Sequence, residues 1–310
     1  MTQVKFSTEK MLFLKKLLCD EFLPRIKGRS IHYVDTPTHL NIGDLLIMLG
    51  TEELFRQADV KIKSVSSLRN TNLLLNSKID KDDIIICHGG GNFGDLYLGT
   101  QDHQALRLEI VQKYPDNQII MMPQSVHFED SIKLKESTQI LKEHNNLLIY
   151  VRDIESFNLL NTELGGRIKM MPDMAHMLFG KYQISKLIEE NTLILRRRDK
   201  ESQIDSSSQQ NYFDWDDIFR PQDLRFYDFM RFLCRIEDKL SFNLGSAWIW
   251  SKFSTYIARR AQNLYDGYSV IDTDRLHGAI FGLLCGKNLI LQDNSYKKIA
   301  RYFSKWILDV

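Results

Sequence analysis

From about Ser30 to Met171, short apolar runs alternate with longer stretches whose apolar residues recur every three or four positions. The runs SIHYVD, VKIKSV, DDIIICHG, NQIIMMP and NLLIYVRD are rich in Ile and Val or continuously apolar, the pattern of strands covered on both faces. Between them, GDLLIMLGTEELFRQ, TQDHQALRLEIVQKY, SIKLKESTQILKEHN and ESFNLLNTEL carry the helical period. Strand and helix in repeated alternation predict an α/β fold with parallel sheets and right-handed crossovers. After Lys181 the texture changes. TLILRRR reads as a further strand, and DKESQIDSSSQQN as an exposed polar loop. Asp214 to Asp266 is aromatic-rich and helical by period, and SVIDTD, a helix through Leu283, NLILQD and a last helix restore the alternation. Two domains are expected, residues 1–182 and 183–310. The second is smaller and more helical, with an aromatic-rich insertion at about 212–268.

The length of 310 residues agrees with two domains. With 41 basic and 40 acidic residues and a formal charge of +1, nothing in the bulk charge favours nucleic acid. The four cysteines lie far apart, which argues against a structural zinc site and for a reducing cytoplasm. No segment approaches the ~20 consecutive apolar residues of a membrane helix. A cytoplasmic protein is therefore expected.

Five segments could carry chemistry. In HLNIGDLLIMLG, Asn41 and Gly43 open a helix whose N-terminal N–H groups suit an anion, although Asn41 and Asp44 can equally serve as caps. In CHGGGNFGDLY, which follows a strand directly, Gly89, Gly90, Gly91 and Asn92 let the backbone come close to a ligand at the carboxyl edge of a sheet. The spacing matches neither a Walker A motif nor a dinucleotide fingerprint. In YVRDIESFN, Arg152 leaves a strand end. In TLILRRR, Arg196 to Arg198 end another, and alternation turns Arg197 away from its neighbours. In TDRLHGAIFGLLCGK, an apolar strand delivers Asp274, Arg275 and His277 to the start of a helix. Arg275 offers a planar fork for carboxylate or phosphate, and His277 is a natural proton-transfer group near neutral pH. No tight His, Asp or Glu cluster calls for a metal.

Taken in order, NIGD, HGGGNFGD, VRD followed by Ser156, and DRLHGAIFGLLCGK followed by LQDNSYKK resemble the polysaccharide pyruvyl transferase family. The resemblance runs from about His39 to the C-terminus and is weak between about Asp199 and Ser269. It implies two Rossmann-like halves facing a cleft, as in GT-B glycosyltransferases, and transfer of a pyruvyl group from phosphoenolpyruvate to sugar hydroxyls as a cyclic ketal. It puts Arg152, Arg275 and His277 on active-site positions and Lys297 near the cleft. Phosphoenolpyruvate is the expected donor, with no separate cofactor, and a glycan or lipid-linked saccharide the expected acceptor. His277 is the candidate acid/base, with Asp44 or Asp95 receiving the proton of the sugar hydroxyl. A GT-B glycosyltransferase using a nucleotide sugar, or a non-catalytic part of a polysaccharide assembly complex, are the alternatives.

The aromatic stretch SFNLGSAWIWSKFSTYIARRAQNLY reads as a helix. Trp248 and Trp250 stand ~200° apart on it, so one should pack inside and the other face outward. With Arg259 and Arg260, an outward Trp has the composition of a helix lying at a bilayer surface, which the resemblance would put at the inner face of the membrane; the alternative is that these aromatics fill the core of the smaller domain.

Overall fold

The computed structural model describes residues 2–95, 102–184, 191–198, 212–292 and 298–308. The chain runs β1 (Thr2–Val4), α1 (Thr8–Ile26), β2 (Ser30–Val34), α2 (Ile42–Ala58), β3 (Lys61–Val65), α3 (Asn72–Leu75), β4 (Ile84–Cys87) and β5 (Gly90–Gly94). It continues through α4 (His103–Lys113), β6 (Gln118–His127), α5 (Ser131–Glu143), β7 (Leu147–Val151), α6 (Ile154–Leu164) and β8 (Ile168–Met170). A second set follows: β9 (Thr192–Leu195), α7 (Pro221–Leu240), α8 (Ser246–Asp266), β10 (Val270–Thr273), α9 (Leu276–Leu284), β11 (Asn288–Leu291) and α10 (Lys298–Phe303).

The fold is α/β with mostly parallel sheets. The larger sheet has the order β3-β2-β4-β6-β7-β8, with β5 also pairing with β6, and every pairing is parallel. Its middle strands are apolar throughout because both faces are covered; all four residues of β4 are buried. Short polar caps start the crossover helices: the side chains of Asn41, Asp102, Asp130 and Asp153 each accept a backbone N–H of the following turn. The smaller sheet has the order β1-β11-β10-β9. Its β9, β10 and β11 are parallel, and β1, from the opposite end of the chain, joins β11 antiparallel.

The glycine-rich segment, read from sequence as a loop, forms the short strand β5 beside β6. A Cβ on Gly89 would lie 2.4 Å from the Pro123 carbonyl oxygen, so this close approach admits only glycine. The polar Ser/Gln loop, 199–211, lies outside the described residues.

The aromatic-rich segment forms two helices, and the SFNLG that opens the stretch read as a helix is the turn between them. α7 is closed by Ser241 and α8 opened by Gly245, both in the left-handed region (φ 50° and 91°). Buried Glu237 holds the turn by accepting the backbone N–H groups of Leu244 (2.8 Å) and Ser246 (3.0 Å). It also accepts Asn70 Nδ2 at 2.7 Å, while Asp238 accepts the Asn72 N–H at 2.9 Å. Ser251 Oγ donates to Glu52 Oε2 at 2.6 Å. These bonds fix the hairpin to α2 and to the segment after β3. Trp250 is 2% exposed and Trp248 67% exposed, the split that the helical angle requires. Arg260 does not join an outward face: it pairs with Asp223 and donates to the Ile218 carbonyl at 2.9 Å.

Candidate active site

Arg152 follows β7 directly, and its backbone is fixed on both sides. Its N–H donates to the Gln124 carbonyl at 3.0 Å, and its carbonyl accepts Trp306 Nε1 at 2.7 Å. Its guanidinium reaches Ser125 Oγ through Nε at 3.0 Å and Asp173 Oδ2 through Nη1. Ser125 Oγ in turn donates to Asp153 Oδ2 at 2.6 Å. Arg152 is therefore a buried, oriented cation with little rotamer freedom left to lose.

Asp173 is the centre of the arrangement. It caps the short 3₁₀ turn Met174–Leu178, with Oδ1 accepting the Ala175 N–H at 2.9 Å. Its Oδ2 takes Arg152 from the first half of the chain and His277 Nε2, at 3.2 Å, from the second. The carboxyl is fully buried. Burial alone pushes its pKa up, but the His277 ring, Arg152 and the Ala175 N–H outweigh burial and hold it well below the usual carboxylate range. Asp173 is thus an anion at neutral pH, and it can hold a proton on His277 Nε2. The Asp173 N–H donates to Tyr302 Oη at 2.9 Å, and His176 Nε2 lies 2.8 Å from the same oxygen. Burial pushes His176 down to about 4 despite nearby Asp173, so it is neutral at pH 7.

The other His277 nitrogen faces α2. A Cβ on Gly43 would fall 2.5 Å from His277 Nδ1, so the missing side chain is what lets the ring sit over the start of this helix. Next to it, Gly90 has φ +123°, and a Cβ there would lie 3.4 Å from Asp44 Oδ1; one on Gly91 would lie 3.4 Å from Arg152 Nη2. Four of the five segments picked out along the sequence thus meet, and in the fifth, TLILRRR, Arg196 is paired to Asp272 instead. Asp44 is partly exposed, with His39 Nε2 3.7 Å from its Oδ2.

Other sequence-derived candidates have partners of their own. Asn41 caps α2 through Gly43 N–H at 3.0 Å. Asn92 Oδ1 accepts Arg107 Nη2 at 2.8 Å, and Arg107 is paired with buried Asp35. Both oxygens of Asp95 accept backbone N–H groups of Glu129 and Asp130, which keep its pKa low against burial. Asp95 therefore pins a loop. Arg196 pairs with Asp272 at 2.6 Å, and Asp274 accepts the Arg197 N–H at 3.0 Å. Arg275 pairs with buried Asp214 at 2.6 Å. Lys297 lies outside the described residues.

Sequence reasoning missed Asp173, Ser125, Tyr302 and His39. In IKMMPDMAH the cue for Asp173 was an Asp after a short apolar run and a Pro, where a strand gives way to a capped turn. Nothing local marked the aspartate as shared between two distant cations.

The family profile described as polysaccharide pyruvyl transferase matches residues 41–296, a span containing Gly43, Arg152, Asp173 and His277. The chain belongs to this family. This pyruvyl transferase is 33% identical over 303 residues to "Putative pyruvyl transferase EpsO" of Bacillus subtilis (strain 168), covering 97% of this chain and 92% of that one. It is 25% identical over 301 residues to "Pyruvyl transferase 1" of Schizosaccharomyces pombe, covering 90% and 70%. Its fold is shared by a functionally uncharacterized protein of Klebsiella pneumoniae subsp. pneumoniae NTUH-K2044, with a TM-score of 0.60 and 20% identity over 96% of this chain and 95% of that one. The protein is a transferase whose family acts on polysaccharide.

Proposed function

We propose that the protein transfers the pyruvyl group of phosphoenolpyruvate to two hydroxyls of one sugar in a surface-polysaccharide precursor, forming a ketal. The observation that carries this reading is Asp173 shared between Arg152 and His277 beside the start of α2. With His277 protonated, two cations face one carboxylate, and the surplus positive charge suits an anionic donor.

The chemistry balances without a redox partner. His277 Nδ1 delivers a proton to the donor's methylene carbon, and C2 becomes an oxocarbenium centre. A sugar hydroxyl oxygen bonds to C2 and its proton passes to Asp44. A second hydroxyl of the sugar then displaces phosphate from C2; its proton restores His277, and the proton held by Asp44 leaves with the departing phosphate. Asp173 keeps the other ring nitrogen protonated and stabilises the imidazolium. The contact from Asp173 in one half to His277 in the other supports a GT-B-like arrangement with substrates between the halves, and the passage from β8 of the larger sheet to β9 of the smaller supports a division near residue 182, with β1 crossing to the smaller sheet. A cytoplasmic location fits a donor made inside the cell.

Incubation with phosphoenolpyruvate and a saccharide acceptor should release inorganic phosphate and add one pyruvyl ketal to the acceptor mass. Nucleotide release from a nucleotide sugar, with no phosphate from phosphoenolpyruvate, would turn the reading to glycosyl transfer.

A further inference from the structure

We propose that the α7–α8 hairpin is a docking surface for an anionic bilayer. Along α8, Trp248, Lys252, Tyr256 and Arg259 follow at spacings of four, four and three, and all are exposed. This is one continuous stripe, and Lys252 Nζ lies 5.7 Å from the centre of the Trp248 ring. On α7, Phe229 and Phe232 are 52% and 59% exposed, among exposed Arg225, Arg235 and Lys239. The turn between the helices adds Phe242 and Leu244, also exposed. Large side chains placed in water like this mark a surface that meets something else.

Charge selects the occupant. Among the exposed residues of the two helices five are basic, and the one acidic residue, Asp228, lies 3.4 Å from Arg231. A second copy docked across a two-fold axis would set this patch on itself, basic residue against basic residue. An anionic bilayer meets both halves of the composition: the aromatic rings enter the headgroup boundary while the Lys and Arg heads reach the lipid charges. Among the described residues no helix is long and apolar enough to cross a membrane, so the contact would lie on the surface. The hairpin is bonded to the segment after β3 and to α2, the helix whose start faces His277. A bilayer bound there would adjoin the site and favour a lipid-linked acceptor. That consequence rests on the function proposed above, whereas bilayer binding itself does not.

Co-sedimentation of the full chain with phosphatidylcholine vesicles, with and without phosphatidylglycerol, tests the surface with no substrate present. Binding is expected only with phosphatidylglycerol, at low salt, and release at high salt. Of the four Trp residues, Trp215, Trp250 and Trp306 are buried. A blue shift of emission on binding would therefore report Trp248, and Trp248→Ser should remove it. An Arg235→Glu/Lys239→Glu/Lys252→Glu variant should partition about tenfold more weakly or worse, with its melting temperature showing that it is folded. Absent binding at low salt, equal binding to neutral vesicles, or a folded triple variant that binds like wild type would each overturn the proposal. So would a concentration-dependent dimer dissolved by Phe232→Asp. Should the triple variant not fold, the salt dependence and Trp248→Ser decide the matter.

Discussion

Arginines stand at strand ends in both halves of the molecule, yet they are neutralised differently. Arg152, after β7, shares Asp173 with His277, so two potential cations lean on one buried carboxylate. In the smaller sheet, Arg196 has Asp272, and Arg275 has Asp214. Each of these pairs joins one arginine to one carboxylate. The difference teaches that arginines at the carboxyl edge of a sheet can be matched one to one or can share a carboxylate. The ratio of cations to carboxylates around each matters, because a buried pair already matched gains less from a third charge.

The sharpest way to break this comparison is to remove His277, the proposed proton carrier. His277→Gln should cut turnover by ~100- to 10,000-fold, measured as phosphate release under saturating donor. A loss of only a few-fold would make His277 a structural partner of Asp173. Next in size is the shared carboxylate. Asp173→Ala leaves Arg152 buried and unpaired and should destabilise the fold by ~3–5 kcal/mol in denaturant unfolding.

The pH dependence of that loss has a definite sign. The folded pKa of Asp173 is depressed, so its contribution is complete above the unfolded value near ~3.9 and is lost as pH falls toward the folded one. The stability gap between wild type and Asp173→Asn should therefore narrow from pH 7 to pH 3. A gap independent of pH would show that the carboxylate charge is not what stabilises.

Donor binding compares the two halves directly. Phosphoenolpyruvate at ~100 times its dissociation constant should stabilise the wild type by about 2.7 kcal/mol. Arg152→Ala is expected to abolish this thermal shift and Arg275→Ala to lower it by less. Equal losses would mean that Arg275 leaves Asp214 for the donor, and the contrast between the halves would fail. Gly43→Ala places a methyl against His277 Nδ1; overpacking of this kind costs ~1–3 kcal/mol, and turnover should fall more than donor binding. The smallest effect is expected at Arg198, whose side chain is 52% exposed in its pair with Asp217. Arg198→Ala should change stability by less than about 1 kcal/mol.

Much of this molecule was legible along the chain. Apolar runs such as DDIIIC and LLIYV could only be strands buried on both faces, since no other element hides so many consecutive side chains in so few residues. The periodic segments between them had to cross over, which made the sheet parallel. The motifs at residues 41–44, 89–92, 152 and 275–277 were visible as breaks in that alternation. The opposite fates of Trp248 and Trp250 followed from helical geometry alone. Tertiary structure decided the partnerships. Which carboxylate neutralises which arginine depends on segments far apart in sequence: Asp173 meets His277 across 104 residues and Arg275 meets Asp214 across 61. Asp95 looked like a base and became a loop anchor because two backbone N–H groups of residues 129 and 130 converge on it. Local periodicity reports which face of an element is buried. It carries no information about which charges meet when two buried faces close on each other, and in this protein that closure creates the site.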